Sequence, residues 1–407
     1  MQLDLDFIRS QFPAFSEPSL KGKAFFENAG GSYTCKLVID RLFRYYHQRK
    51  VQPYAPYAAS TLAGAEMDEA RVRLAAILNI GEDELSFGPS TTQNTYVLAQ
   101  AFRQHLKAGD AIIVTNQDHE ANTGPWRRLA DSGIEVREWQ ADAETGHLDV
   151  DDLAALLDDK VKLVCFPHVS NIVGEINPVA EICTMVRSAG AVSCVDGVSF
   201  APHGLPDIGS LGADIYLFSA YKTYGPHQGI MYIRARLADA LPNQAHYFNA
   251  SSRVKKFTPA GPDHAQIAAC AGLADYIDML HDHHFEANPD AAARGRAVSG
   301  LQAAHEAELL APLLEYLRGR NDIRLIGPNS PSGRVPTLAI QARKTGGELA
   351  QDLVEHDIMA AGGDFYAVRL QEALGIDPAK GVLRLSFVHY TSQQEVAQLI
   401  KTLDQVL

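Results

Sequence analysis

The feature that most constrains this chain is a series of strand-length apolar segments separated by helical ones. AIIVT (111–115), VREW (136–139), KLVCFPHV (162–169), AVSCVD (191–196), DIYLFS (214–219) and GIMYIR (229–234) all have strand length. Several are apolar at consecutive positions, the pattern of a strand covered on both faces. Between them, DVDDLAALLDD (149–159) and VAEICTMVRSAG (179–190) have helical spacing, the second stopping at Gly190. Strands alternating with helices predict an α/β fold with a mostly parallel, doubly wound sheet. Such sheets bind ligands at the carboxyl ends of their strands. After about residue 270 the texture changes to long helical stretches (ADYIDMLHDHHFEAN, AHEAELLAPLLEYLRG), mixed strands and a final helix, SQQEVAQLIKTLDQVL. A chain of 407 residues suits a large domain with a smaller one. The expected division is a large ligand-binding domain over 20–270 and a smaller α+β domain formed by 1–19 with 271–407.

Charge and composition exclude several classes of function. With 36 Lys and Arg against 49 Asp and Glu, the net charge is −13, unsuited to binding a phosphate backbone, so no nucleic-acid partner is expected. No apolar run is long enough to span a bilayer, so no membrane partner is expected. The opening MQLDLDFIRSQFPAF is acidic and lacks the apolar core of a signal peptide. Cys35, Cys165, Cys183, Cys194 and Cys270 form no CxxC motif and read as reduced core residues, which places the expected location in the cytoplasm. HDHHF (281–285) resembles a metal cluster, but its histidines do not share one helix face and it brings no cysteines. It reads as a solvated helix end, and no metal site is expected.

Polar residues recur where the predicted strands end. Ser90, Thr91 and Thr92 precede a helical pattern and suit an anion site, although an ordinary N-cap would look the same. His119 follows AIIVT, and Asn171 and Gly174 follow KLVCFPHV. Asp196 closes an apolar strand, where an acid is costly unless it is paired. Lys222 follows the next strand, between Tyr221 and Tyr224, with few charges nearby. Each alone reads as turn polarity. Together they point to one crevice and one cofactor, pyridoxal phosphate. It needs a lysine for its aldehyde, an anion site for its phosphate, an aromatic for its ring face and an acid for its pyridine nitrogen. A partly desolvated lysine has a lowered pKa and can serve as nucleophile and proton shuttle.

FFENAGGSYT (25–34), FGPSTTQN, QDHEANTGPW, HVSNIVGEINPV, VDGVSFAPH, FSAYKTYGPHQG and VLRLSFVHYTSQQEV, taken in order, resemble the fold type I, class V aminotransferases. More narrowly they resemble the cysteine-desulfurase-like branch, over nearly the whole chain. The resemblance implies that Lys222 holds the cofactor as a Schiff base and moves the proton. It implies that Asp196 pairs with the pyridinium nitrogen and that His119 stacks on the ring. Thr91, Thr92 and Ser219 would hold the phosphate, Asn171 would lie near the ring hydroxyl, and Arg384 would grip the substrate carboxylate bidentately. Tyr221 stands where the family usually has histidine and could still reach the phosphate. Ser199 replaces a frequent glutamine. Gly261-Pro262-Asp263 replaces the Gly-Thr-Pro whose threonine reaches the neighbouring subunit's phosphate.

The largest departure is a missing thiol: IMAAGGDFYAVRL (358–370), where desulfurases carry their nucleophilic cysteine, has none. Asp364 and Tyr366 stand there instead and are expected to shape the substrate pocket. The activity implied is that of an enzyme acting at the α-carbon of an amino acid, as an aminotransferase or a C–S lyase. The alternatives are a true cysteine desulfurase using another nucleophile, an amino-acid epimerase and a non-catalytic cofactor-binding protein. A nicotinamide oxidoreductase would need GxGxxG after an early strand, and none is present. Family habit implies a homodimer.

Overall fold

The computed structural model describes residues 2–407. Its main sheet has seven strands: β1 (Leu85–Gly88), β2 (Ala111–Thr115), β3 (Glu135–Trp139), β4 (Val161–Pro167), β5 (Val192–Asp196), β6 (Ile215–Ser219) and β7 (Gly229–Ile233). Their spatial order is β1-β7-β6-β5-β4-β2-β3. All neighbouring pairs are parallel except those involving β7, which is antiparallel to both β1 and β6. The fold is therefore the expected α/β class with a mostly parallel sheet. The short strand β1 is not evident in the sequence pattern.

The continuous apolar runs divide between two cores. Ile112 and Val114 of β2, Cys194 of β5 and Ile215 and Leu217 of β6 face one layer. Ile113, Val195, Tyr216 and Phe218 from the same strands face the other. This is period-two alternation with both faces covered. Burying each large apolar side chain in this way contributes about 1.5–3 kcal/mol. At the β3 edge, where one side of the ladder is unpaired, Arg137 binds Glu135 at 2.8 Å and Asp158 at 2.9 Å. Charge on an edge strand discourages pairing with another chain.

A second sheet comprises β8 (Arg324–Ile326), β9 (Thr337–Gln341), β10 (Ala361–Gly363) and β11 (Val382–Ser386), in the antiparallel order β10-β11-β9-β8. Its core includes Leu338, Leu383 and Leu385 with Leu399 and Leu403 of the last helix, Gln393–Val406. Ser392 and Glu395 cap that helix reciprocally. The chain near the N-terminus joins this core through Ala24 and Phe26. Among the described residues no helix is long and apolar enough to cross a membrane.

The histidines of HDHHF divide between two contacts, His281 apart from the neighbouring pair His283 and His284, and the helix end is not simply solvated. His281 is buried and stacks on Phe285. His283 stacks on Phe7 at 3.6 Å and bonds Asp4 at 3.0 Å, and His284 accepts the Asp4 N–H. The cluster anchors the N-terminal helix Leu5–Ser10.

Candidate active site

Five strand exits meet at one cavity of about 300 Å³. Ser90, Thr91 and Thr92 enter it after β1, His119 after β2, Asn171 after β4, Asp196 at the end of β5 with Ser199 beyond it, and Ser219 at the end of β6 with Tyr221 and Lys222 beyond it. Parallel strands deliver their carboxyl ends to one edge, which is why residues scattered over 130 positions converge here. His227, also in its wall, was not singled out in the sequence; its ring stacks on Tyr221 at 4.8 Å.

At one end, Ser90 caps the helix Thr91–His105 by accepting the Gln93 N–H. The Thr91 and Ser219 hydroxyls lie 2.8 Å apart. Gly229 opens β7 against this loop, and a Cβ there would stand 2.5–2.8 Å from the Ser90 and Thr91 backbone. Glycine is thus required for the close approach. Hydroxyls and free N–H groups at a helix start make a cradle for a phosphate group.

Lys222 ends a 3₁₀ turn, Ala220–Lys222, that follows β6 directly. The Thr223 hydroxyl donates to the Ser219 carbonyl, and the Ser32 hydroxyl donates to the Lys222 carbonyl at 2.6 Å. The ammonium is buried, and burial together with the nearby Arg384 charge pushes its pKa down to about 8, against Asp196 and Glu27. An amine so placed is readily available in neutral form.

Asp196 is also buried. Burial raises its pKa to about 6, while the Val198 N–H, donating to Oδ1 at 2.8 Å, and Lys222 pull it down. The next residue must be glycine, because a Cβ on Gly197 would overlap the Tyr216 ring. Asp118 lies wholly buried beneath the loop that carries His119, accepting bonds from the Thr115 hydroxyl at 2.7 Å and the Asn122 amide at 3.0 Å. Burial first, then the Asp196 charge, raises its pKa well above the carboxylate range. His119 Nδ1 accepts the Ala121 N–H at 3.1 Å, which leaves any ring proton on Nε2. Burial and the charges of Lys222 and Arg384 push its pKa down to about 3, so it is a neutral aromatic at the cavity wall.

Arg384 and Tyr366 are not in the wall of this cavity. Arg384, on β11, is buried behind it, with its guanidinium 3.8 Å from the Phe365 ring centroid and Nη2 2.8 Å from Glu27 Oε1. Glu27 was not singled out in the sequence; its role depends on a meeting with β11, 357 positions away. Tyr366 is 70% exposed, and its ring lies 5.2 Å from His119. Phe365 and Tyr366 both have left-handed backbone (φ 52° and 58°). For bulky residues this costs about 1–3 kcal/mol each. The Glu120 N–H donates to the Tyr366 carbonyl and the Asn171 amide donates to that of Phe365, both within 2.9 Å, fixing the loop. Asp364 accepts the Tyr366 N–H at 2.7 Å. Asn171 Oδ1 is buried without a partner among the described residues.

The wall thus holds hydroxyls at a helix start, a buried amine, a buried carboxylate, a neutral aromatic and a free amide oxygen. That donor set suits pyridoxal phosphate. All five cysteines are buried in the core, and none lines the cavity.

Comparison with known proteins gives the chain's family. The model of the family "Aminotransferase class-V" matches residues 24–399. An aminotransferase-like protein, FGM3, of Gibberella zeae is 35% identical over 99% of this chain and 98% of its own. A cysteine desulfurase of Serratia proteamaculans is 27% identical, covering 100% of this chain and 99% of its own. In solved form, the cysteine desulfurase of Thermococcus onnurineus superposes with a TM-score of 0.86 at 24% identity, over 100% of this chain and 98% of that one. The last likeness establishes the fold, and the family match and the fungal relative establish the lineage. The chain belongs to the class-V aminotransferase family.

Proposed function

We propose that this chain is a pyridoxal-phosphate enzyme acting at the α-carbon of an amino acid, as an aminotransferase or a C–S lyase. The observation that carries the reading is the burial of Lys222 and Asp196 in one cavity beside a phosphate cradle. When bound, the cofactor supplies an electron sink for the electrons released at the α-carbon. Thr91, Thr92 and Ser219 would hold its phosphate, with Ser90 and Tyr221 beside them. Asp196 would hold a proton on the pyridine nitrogen. His119 would cover the ring, and Asn171 would face its hydroxyl. The Lys222 amine would hold the aldehyde and then move a proton at the substrate's α-carbon. Arg384 would anchor the substrate carboxylate, and the Asp364–Tyr366 loop would border the substrate's side chain.

A persulfide route needs an accessible thiolate. The five cysteines are buried, with burial pushing the thiols of Cys35 and Cys183 up to about 12 and about 11. This favours transamination or elimination over desulfuration through a cysteine.

Purified holoenzyme mixed with L-cysteine, L-alanine and a wider amino-acid panel tests the reading by its products. A keto acid formed without free ammonia identifies an aminotransferase. Pyruvate, sulfide and ammonia in equal amounts identify a lyase. L-alanine and transferable sulfur formed from L-cysteine would contradict both.

The resemblance also implies a homodimer. Large apolar side chains left exposed in the single chain support it, among them Phe43, Tyr46, Tyr54, Tyr247 and Phe248. Tyr54 and Phe248 line one groove. Light scattering should give about twice the 44.3 kDa chain mass, and a monomer at micromolar concentration would refute it.

A further inference from the structure

The residue expected to bind the substrate carboxylate already holds one. Arg384 Nη2 lies 2.8 Å from Glu27 Oε1, and both groups are largely withdrawn from water. The pair is incomplete: Arg384 Nε and Glu27 Oε2 are buried with no partner among the described residues. Arg384 Nη1 has only a long contact, 3.5 Å, to the Asn171 carbonyl, and the Phe365 ring covers the guanidinium. Glu27 reaches this position because its backbone bridges to Ser386, two residues along β11. Gly30 leaves it room, since a Cβ there would stand 2.4 Å from Glu27 Oε1. The charged neighbours of Glu27 are Arg384 and Lys222.

We propose that Glu27 is a specificity-determining residue: an internal carboxylate on Arg384 that an incoming substrate carboxylate must displace. The inference rests on Arg384 being the carboxylate anchor. Nη2 is the nitrogen shared by both two-point faces of a guanidinium, so Glu27 stands beside either approach a bidentate partner could take. Two carboxylates side by side in a site of low dielectric repel each other. Binding is therefore an exchange in which Glu27 leaves the guanidinium as the substrate arrives. Nε, buried without a partner among the described residues, becomes available as the second contact of the incoming group once Glu27 has moved aside. Burial also raises the pKa of Glu27 against the pull of Arg384 and Lys222, so a displaced Glu27 can take up a proton. The site then favours amino acids with one carboxylate at this end and disfavours those that bring a second.

Calorimetric titration of the holoenzyme with propionate, a minimal carboxylate probe, tests this without turnover. Glu27→Gln keeps the shape and removes the charge. It is expected to bind propionate about tenfold more tightly than wild type at pH 7. Glu27→Asp, which retracts the carboxylate, should fall between the two and guards against a fold defect in the first variant. Arg384→Gln should lose propionate binding. Equal or weaker binding by both Glu27 variants, with Arg384→Gln inactive in binding, overturns the displacement model and makes Glu27 a positioning residue for Arg384. If Arg384→Gln binds propionate as well as wild type, the anchor reading itself fails and the inference falls with it.

Discussion

Lys222→Ala is expected to lower turnover by at least about 10⁴-fold, because on the proposed reading Lys222 is both the covalent holder of the cofactor and the proton carrier. The same residue should oppose stability in the cofactor-free protein. Its pKa falls from the usual 10.5 to about 8 in the folded state, chiefly through burial. Between those values the unfolded chain binds more protons than the native one, so stability rises with pH across that window. Below about pH 8 the burdened, charged form persists in full, at a cost of about 3 kcal/mol. Lys222→Met, which keeps the length and removes the charge, should therefore raise the urea midpoint of the cofactor-free protein at pH 7 while abolishing activity. The advantage should shrink from pH 8 toward pH 10.5. A variant less stable than wild type at pH 7 would show that the amine is satisfied in the fold, not held there for chemistry. This opposition between stability and activity is common where a charge is buried for function.

Much of this arrangement is legible in the sequence, and the reason is geometric. A parallel sheet sends every strand exit to one edge, so the order of strands along the chain suffices to gather Thr91, His119, Asn171, Asp196 and Lys222. The polarity of each exit stands out because the strand before it is apolar at successive positions. The strand Leu85–Gly88 is less visible, being four residues long and followed at once by the helix that Ser90 caps. Residues whose roles depend on contact between distant segments are also hidden. Glu27 in FFENAGG has no local mark; its partner Arg384 is placed beside it by β11. Asp118 reads as one more polar residue of NQDHE until burial and its bonds to Thr115 and Asn122 reveal a support under His119. Arg384 and Tyr366 are legible as candidates, but their relation to the cavity depends on a left-handed turn at Phe365 and Tyr366 that bulky residues seldom adopt.

Asp196→Asn should keep the cavity's shape and cofactor, yet reduce turnover by about 10²–10³-fold, a typical consequence of losing one preorganised electrostatic group. Asparagine is nearly isosteric and still offers Oδ1 to the Val198 N–H, which donates to Asp196 at 2.8 Å. What it cannot do is hold a positive charge on a ring nitrogen. The pH dependence separates this role from packing. In the free protein the Asp196 pKa is raised to about 6, so the carboxyl gains a proton as pH falls through that value and its hold on a cation is lost. Lys222, depressed to about 8, becomes a neutral amine as pH rises through that value. Capture of pyridoxal phosphate by the cofactor-free protein, followed by absorbance from pH 5 to pH 9, should show both effects. The rate should climb through about 8, and affinity should fall below about 6. Asp196→Asn should keep the first dependence, moved below about 8 because the Asp196 charge supports the Lys222 ammonium, and lose the second. If the loss of affinity below pH 6 survives in the variant, it belongs to another group, and the assignment of Asp196 to the ring nitrogen is wrong. If the climb vanishes as well, the two groups titrate as one pair, and their burial in a single cavity couples them more strongly than either pKa alone implies.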